Sequence, residues 1–374
     1  MSGPMKALMC GAAFAVLALP VAVVPAVAED FSLDALVAAA RAEPPLNVYD
    51  STGKIVAMAE NFAATYGVQA NGVKARAAEL LEMVIREVQA GNVQTGVVLI
   101  ADVPAAVGQL LPEGFAESWL PPDQAEDIDP LARDPLLVVA SPYVFAYNTA
   151  LHESCPITNI WEMTDPEWKG KVVLEDPLRL PTFTDWYSQM ESHADDRMAA
   201  AYEAHYGKPL ETQYKSATEA FIAALAGNGP LITDTDTAAA EAVAAPGQTE
   251  TFVSMVTAAK FRDNAAKGLT LGLCTGMEPF IGFNTAKVAL IPKGTPSPNA
   301  AKLFVHFIMT EAGIAPQLED GKISYNTKVP LSPDEPSGLG AHLDSILPYN
   351  PSTAVEDWDT RQDWQDFWRL HYTR

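Results

Sequence analysis

Leu46-Asn47-Val48-Tyr49-Asp50-Ser51-Thr52-Gly53-Lys54 decides the fold class. Its first four residues read as a short strand, and the Asp-Ser-Thr-Gly run breaks it. Ile55, Ala59, Phe62 and Tyr66 then recur at helical spacing until Gly67 stops them. Strand, polar turn and helix follow in the order of a βαβ unit. The alternation continues: Leu80, Leu81, Val84, Ile85 and Val88 predict a second amphipathic helix ending near Gly91, and Val97-Val98-Leu99-Ile100 a strand with Asp102 just beyond it. Strands that are apolar throughout belong to parallel sheet covered by helices.

Working outward, Leu136–Ala140 and Tyr143–Tyr147 form two strand-like runs separated by Ser141-Pro142. A second alternating set opens at Lys171–Glu175. It runs through a helix from Asp185, a helix around Glu219–Ala226, a strand at Pro230–Thr233 and a helix from near Thr237. The stretch 283–291 returns to the apolar strand type, and Asn299 is placed to cap the helix that Gly313 ends. The expected fold is α/β with two lobes. Residues 44–147 and 281–330 form lobe one and 148–280 lobe two, the chain crossing near 145–150 and 278–284 at a hinge. Two ordinary sequential domains would give the same periodicity. The tail 331–374 carries Trp364, Phe367 and Trp368 three and four apart, which predicts one helix docking back on a lobe.

Residues 1–28 read as a signal peptide: Lys6, an apolar stretch over 7–24, and Ala26-Val27-Ala28 before Glu29. Cleavage there leaves 346 residues and moves the formal charge from -23 to -24, since only Lys6 is lost. A chain this acidic repels phosphate backbones and anionic membrane surfaces, so nucleic acid is excluded as a partner. A small anionic solute is not, because a few local donors can dominate a closed cleft. Cys155 and Cys274 survive cleavage, and an oxidising compartment admits either a disulfide or two buried thiols. Neither lies in a close set of ligand residues, so no metal or other cofactor is expected.

Tyr49-Asp50-Ser51-Thr52-Gly53-Lys54, Ala146-Tyr147-Asn148-Thr149, the run from Ile160 through Asp165-Pro166-Glu167-Trp168-Lys169-Gly170-Lys171, and the segment Phe283 to Gly313 carry a family resemblance. The chain resembles the periplasmic solute-binding proteins of ABC importers, in the branch that takes ferric ion and phosphorylated or other anionic organic solutes. The resemblance implies a type 2 periplasmic-binding fold whose lobes close on a solute. It also implies a soluble periplasmic monomer that delivers the solute to an inner-membrane ABC permease.

Carried over onto this sequence, the family's binding loops give Ser51 and Thr52 before a helix whose free amides suit an anion, though either residue can simply cap that helix. They also give Asp102 past its strand, and Thr182, Thr184 and Asp185 in the Pro181–Asp185 loop, with Arg179 able to offset the carboxylate. Where ferric receptors place adjacent tyrosines, this chain has Asp234, Thr235 and Asp236. Tyr143 enters from elsewhere, and Thr275 and Glu278 lie near the return crossing. The expectation is a small anionic organic solute, with ferric iron as the alternative. A hydrolase or lyase using Asp102, Asp234 and Asp236 is the reading of another class. Against it, no Gly-x-Ser-x-Gly, His-Glu-x-x-His or phosphate-loop pattern occurs and the histidines are scattered, so no catalytic residues are assigned.

Overall fold

A computed structural model of the chain describes residues 31–373, together with Met1 and Gly3. The predicted signal peptide lies outside the described residues apart from those two. Eight strands form the body of the sheet: β1 (Leu46–Asp50), β2 (Ala70–Lys74), β3 (Val97–Ile100), β4 (Leu137–Asn148), β5 (Val172–Glu175), β6 (Leu231–Thr233), β7 (Val253–Thr257) and β8 (Gly282–Pro292). Their spatial order is β2-β1-β3-β8-β4-β7-β5-β6. The flanks are parallel, β1 with β2 and β3, and β5 with β6 and β7. Between them the long strands β4 and β8 run antiparallel to each other and to their outer neighbours.

Two hydrophobic cores result. Val48, Phe62, Leu99, Leu290 and Phe304 belong to one; Trp161, Leu174, Phe183, Phe221 and Val256 belong to the other. β4 and β8 serve both. Leu137, Val138 and Val139 pack in the first core and Val144 to Tyr147 in the second, while β8 gives Ala286 and Val288 to Ile291 to the first and Phe283 to the second. The strands approach closely there: a Cβ on Gly282 would lie 2.0 Å from the Tyr143 carbonyl oxygen.

Several local expectations need correction. The runs on either side of Ser141-Pro142 are one continuous strand of 12 residues. Pro142 is tolerated because one edge of β4 changes neighbour beside it, from Ile323 and Ser324 against residues 139–140 to β7 from residue 143 onward. The helix expected from Asp185 begins at Pro181 and runs to Tyr206, since proline at a first helical position loses no internal hydrogen bond. Asn299 is not a cap: its amide and that of Ala300 donate to the Glu43 carboxylate at 3.1 and 2.8 Å. Gly313 lies inside the next helix, Glu311–Leu318, where a Cβ would meet the Phe307 carbonyl oxygen at 1.9 Å.

The aromatic tail forms the helix Ala354–His371. Trp364 and Trp368 are buried in the second core, and the Trp364 indole donates to Ser188 Oγ at 3.0 Å. Ala354 belongs to the first core, and Trp358 packs against it, 2.6 Å from where a Gly108 Cβ would stand. The helix thus spans both cores instead of docking on one. Cys155 and Cys274 form a disulfide with a Cα–Cα distance of 5.0 Å.

Candidate solute-binding site

A cavity of about 330 Å³ opens where the parallel strands end. Ser51 and Thr52 follow β1, Lys74 closes β2, Ala101 follows β3, and Thr257 closes β7; all reach the cavity. Carboxyl ends of parallel strands are where open α/β sheets commonly hold ligands, because the loops there are free of the ladder. Tyr143 of β4 and Thr285 and Lys287 of β8 complete the wall from the crossing strands. Both cores therefore contribute elements to its lining.

The lining is cationic. Lys74, Lys260, Arg262, Lys287 and Lys322 face the cavity, against Asp236 and Asp320. Lys287 and Lys322 are buried, at 4% and 9% exposure. Lys287 Nζ donates to Asp50 Oδ1, Gln317 Nε2 donates to Asp50 Oδ2 at 3.0 Å, and Lys322 Nζ donates to Gln317 Oε1 at 2.8 Å. Burial, reinforced by the neighbouring Lys287 charge, pulls the Lys322 ammonium down to about 7 despite Asp50 and Asp320. Asp320 is engaged by Arg262 and lies 3.9 Å from Lys54 Nζ. On the facing wall, Asp236 accepts from Thr257 Oγ1 at 2.7 Å and pairs with Lys260 at 3.3 Å.

Tyr143 lines the cavity with its ring stacked on Phe283 at 5.3 Å. Burial, then the charges of Glu175 and Asp236, hold its phenol well above the ordinary value, so it presents an O–H and not a phenolate. Glu175 in turn is pushed up to about 7, chiefly by burial and then by Asp236.

Of the predicted residues, the cavity brings together Ser51, Thr52, Tyr143, Thr182 and Asp236. Ser51 Oγ donates to Asp50 and Thr52 Oγ1 accepts weakly from the Lys54 amide at 3.4 Å, but neither is the cap of the helix, which is Gly53 with no side-chain cap bond. Thr184 does not reach it: it is 1% exposed, and its hydroxyl donates back to the Pro181 carbonyl within the first helical turn. Asp234 points outward to an exposed ion pair with Arg179. Thr235 caps the helix Asp236–Ala244, accepting from Ala238 N at 3.1 Å. Thr275 and Glu278 are exposed beside the disulfide, where the Glu278 backbone bonds Thr158 and Ile160.

Asp102 and Asp185 border a neighbouring cavity of about 590 Å³ that shares Ser51, Lys74 and Thr182 with the first. Both carboxylates are held by Arg361 of the C-terminal helix, which reaches Asp102 at 2.7 and 3.1 Å and Asp185 at 3.0 Å. Burial pushes the Asp185 carboxyl well up, and Arg361 pulls against that. The sequence reading missed all five cations, Lys74, Lys260, Arg262, Lys287 and Lys322. Two of them carried a signal: Lys287 precedes the apolar run Val288–Ile291 in one strand, and Lys322 precedes the short strand Ile323–Ser324.

A two-core α/β sheet with a charged cavity at the strand ends is an arrangement suited to holding a small ligand. The chain belongs to the family of bacterial extracellular solute-binding proteins, whose model matches residues 57–337. It is a binding protein and not an enzyme, an exported, periplasmic solute receptor serving an ABC permease. Among curated proteins no sequence matches significantly.

Solved structures share the fold at low identity. Iron-bound HitA from Pseudomonas aeruginosa is 17% identical with a TM-score of 0.64, covering 86% of this chain and 99% of its own. The substrate binding protein of an ABC transporter from Agrobacterium tumefaciens is 15% identical, TM-score 0.65, over 90% of this chain and 97% of its own. The Trichodesmium protein IdiA (FutA), in complex with iron and citrate, is 15% identical, TM-score 0.63, over 88% and 100%.

Proposed function

We propose that this receptor captures a small solute bearing carboxylate or phosphate groups and encloses it by rotation of two lobes. The observation that carries the reading is the lining: five cationic side chains converge on one cavity in a chain of formal charge -23. Such a concentration of positive charge attracts and holds oxyanions, through charge-assisted hydrogen bonds of roughly 1.5–3 kcal/mol each. In this reading residues 44–147 and 281–330 form lobe one and 148–280 lobe two, in the type 2 periplasmic-binding arrangement. β4 and β8 act as the hinge strands and 331–374 as an extension. Ser51, Thr52, Tyr143 and Thr182 supply neutral donors around the charged group.

Ferric iron is the second reading, and the comparisons favour it over an organic anion: HitA was solved with iron, and the Trichodesmium protein with iron and citrate. Asp236 offers the hard oxygen donor such an ion prefers, and Tyr143 would join it only on releasing its phenolic proton. The cations around them repel a bare trivalent ion, whereas iron arriving with a polycarboxylate satisfies both sets of groups. Native mass spectrometry of protein purified without refolding, followed by calorimetry with citrate, with inorganic phosphate and with Fe³⁺ supplied both ways, tests the ranking. Binding of an organic anion in the presence of a chelator supports the first reading. Stoichiometric uptake of Fe³⁺ with no anion retained reverses it.

A further inference from the structure

The floor of the cavity holds more positive charge than its partners balance. Lys287 and Lys322 are each nine-tenths or more buried and both face the cavity, but one carboxylate, Asp50, lies between them and the Gln317 amide. Asp50 is saturated, taking Lys287 and the amide nitrogen of Gln317 on its two oxygens and Ser51 Oγ on one of them. Lys322 donates to the neutral carbonyl of Gln317, which uses one of its three hydrogens. The other nearby acid, Asp320, is already engaged by Arg262, with Lys54 beyond it. Across the cavity Asp236 is taken up by Lys260 and Thr257.

We infer that Lys287 and Lys322 form a seat for one oxyanion group of the solute, and that filling the seat draws a proton onto Lys322. The inference rests on the anionic-solute reading and adds the residues, the chemistry and the linkage. The oxyanion is a carboxylate or phosphate, carried either by an organic solute or by the anion that accompanies a ferric ion.

The linkage has a definite sign. Without a partner anion, burial and Lys287 pull Lys322 down to about 7, so above that pH its ammonium is largely neutral. An oxyanion beside it favours the charged form and raises its value, so the complex holds a proton that the free protein has released. Affinity is therefore level below about pH 7 and falls as pH rises above it. The groups facing Lys322 are Lys287 on β8, Asp50 at the end of β1, and Gln317 and Asp320 from the helix Glu311–Leu318 and the turn after it.

Calorimetry with sulfate, whose charge is constant from pH 6 to 9, and with citrate, each with and without Fe³⁺, tests the seat. Wild-type protein should bind at pH 6 and at least tenfold more weakly at pH 9. At pH 8, buffers of different ionisation heat should reveal uptake approaching one proton. Lys322→Met should weaken binding tenfold or more at pH 6 and abolish the uptake, with a urea midpoint no lower than that of wild type; Lys322→Gln, which keeps a donor to Gln317, guards against a packing artefact. The same losses seen only when iron accompanies citrate assign the oxyanion to the ferric complex. Equal binding by wild type and both variants, with no proton uptake, overturns the seat while leaving the anionic-solute reading intact. No binding of sulfate, citrate or ferric citrate at 10 mM overturns both.

Discussion

Glu175 closes β5 beside Tyr143 and Asp236, and burial pushes its carboxyl up to about 7 from an ordinary 4.5. The folded protein thus keeps a proton over a range where the unfolded chain has released it. Its contribution to stability is full below about pH 4.5 and is lost as the pH rises through 7, on the order of 3 kcal/mol. Asp357, also pushed up to about 7 by burial, acts with the same sign. The urea midpoint should fall between pH 5 and 7.5, and Glu175→Gln should flatten part of that fall; an unchanged slope in the variant refutes the assignment. At this scale the sequence is least legible. Ser51 and Thr52 are found through the family's loop pattern, Tyr143 enters from outside it, and Asp236 stands just past a strand where ferric receptors place tyrosines. Lys287 and Lys322 were passed over because hydropathy reads a lysine beside an apolar run as a solvated end, while the fold buries both at the cavity. Thr184 and Asp185 were read as a loop because nothing in Pro181–Asp185 except the proline marks a helix start. With the helix starting four residues earlier, the Thr184 hydroxyl turns back onto Pro181 and Asp185 faces Arg361 beside the neighbouring cavity.

Among the elements, the C-terminal helix does the least expected thing. Trp364 and Trp368 made its apolar face readable, but Arg361, standing among acids and amides, gave no sign of its partners. Its guanidinium ties Asp102, which precedes the first-core turn Val103–Ala105, to Asp185 of the long second-core helix, with side chains about one-eighth exposed. Arg361→Ala leaves two largely buried carboxylates without a counter-charge and should cost about 3–5 kcal/mol at pH 7, read from chemical denaturation. The loss should shrink toward pH 4 as Asp185, whose value burial raises, takes up its proton. An effect below 1 kcal/mol at pH 7 would contradict the clasp. Trp368→Ala, which empties a fully buried site in the second core, should cost about 3–5 kcal/mol with little dependence on pH. Elements of this kind were otherwise well marked in the sequence, because strands apolar on both faces and helices with a 3.6 period leave different imprints. β2 and β7 are the exceptions among the body strands: Ala70–Lys74 is a half-exposed edge strand with no apolar run to betray it, and the buried run Val253–Thr257 is interrupted by Ser254.

For the molecule as a whole, the proposed lobe rotation would turn on the two long strands shared by the cores, changing few contacts within either core but working against the C-terminal helix that spans both. Small-angle scattering should show a lower radius of gyration when a binding anion is added, and Arg361→Ala should alter the starting value if the clasp restrains that rotation. An identical profile before and after measured binding sinks the closure model. The disulfide adds a separate constraint. It joins residues 119 apart and encloses the middle of the second core, from just after β4 to just before β8. By loop-closure entropy such a bond adds about 4–5 kcal/mol, which reduction should remove from the unfolding free energy without abolishing solute binding.

That ring also changes how the chain responds to tension. Held by its two ends in an optical trap, an oxidised molecule can surrender only the residues outside the bridge, because force passes from Cys155 to Cys274 through the sulfur atoms. With 119 residues withheld at about 3.6 Å each, the full extension should be roughly 40 nm shorter than that of the reduced chain. The second core's strands β5, β6 and β7 lie inside the bridge and would not be drawn out, whereas β1 to β4 and β8 lie on the pulled path.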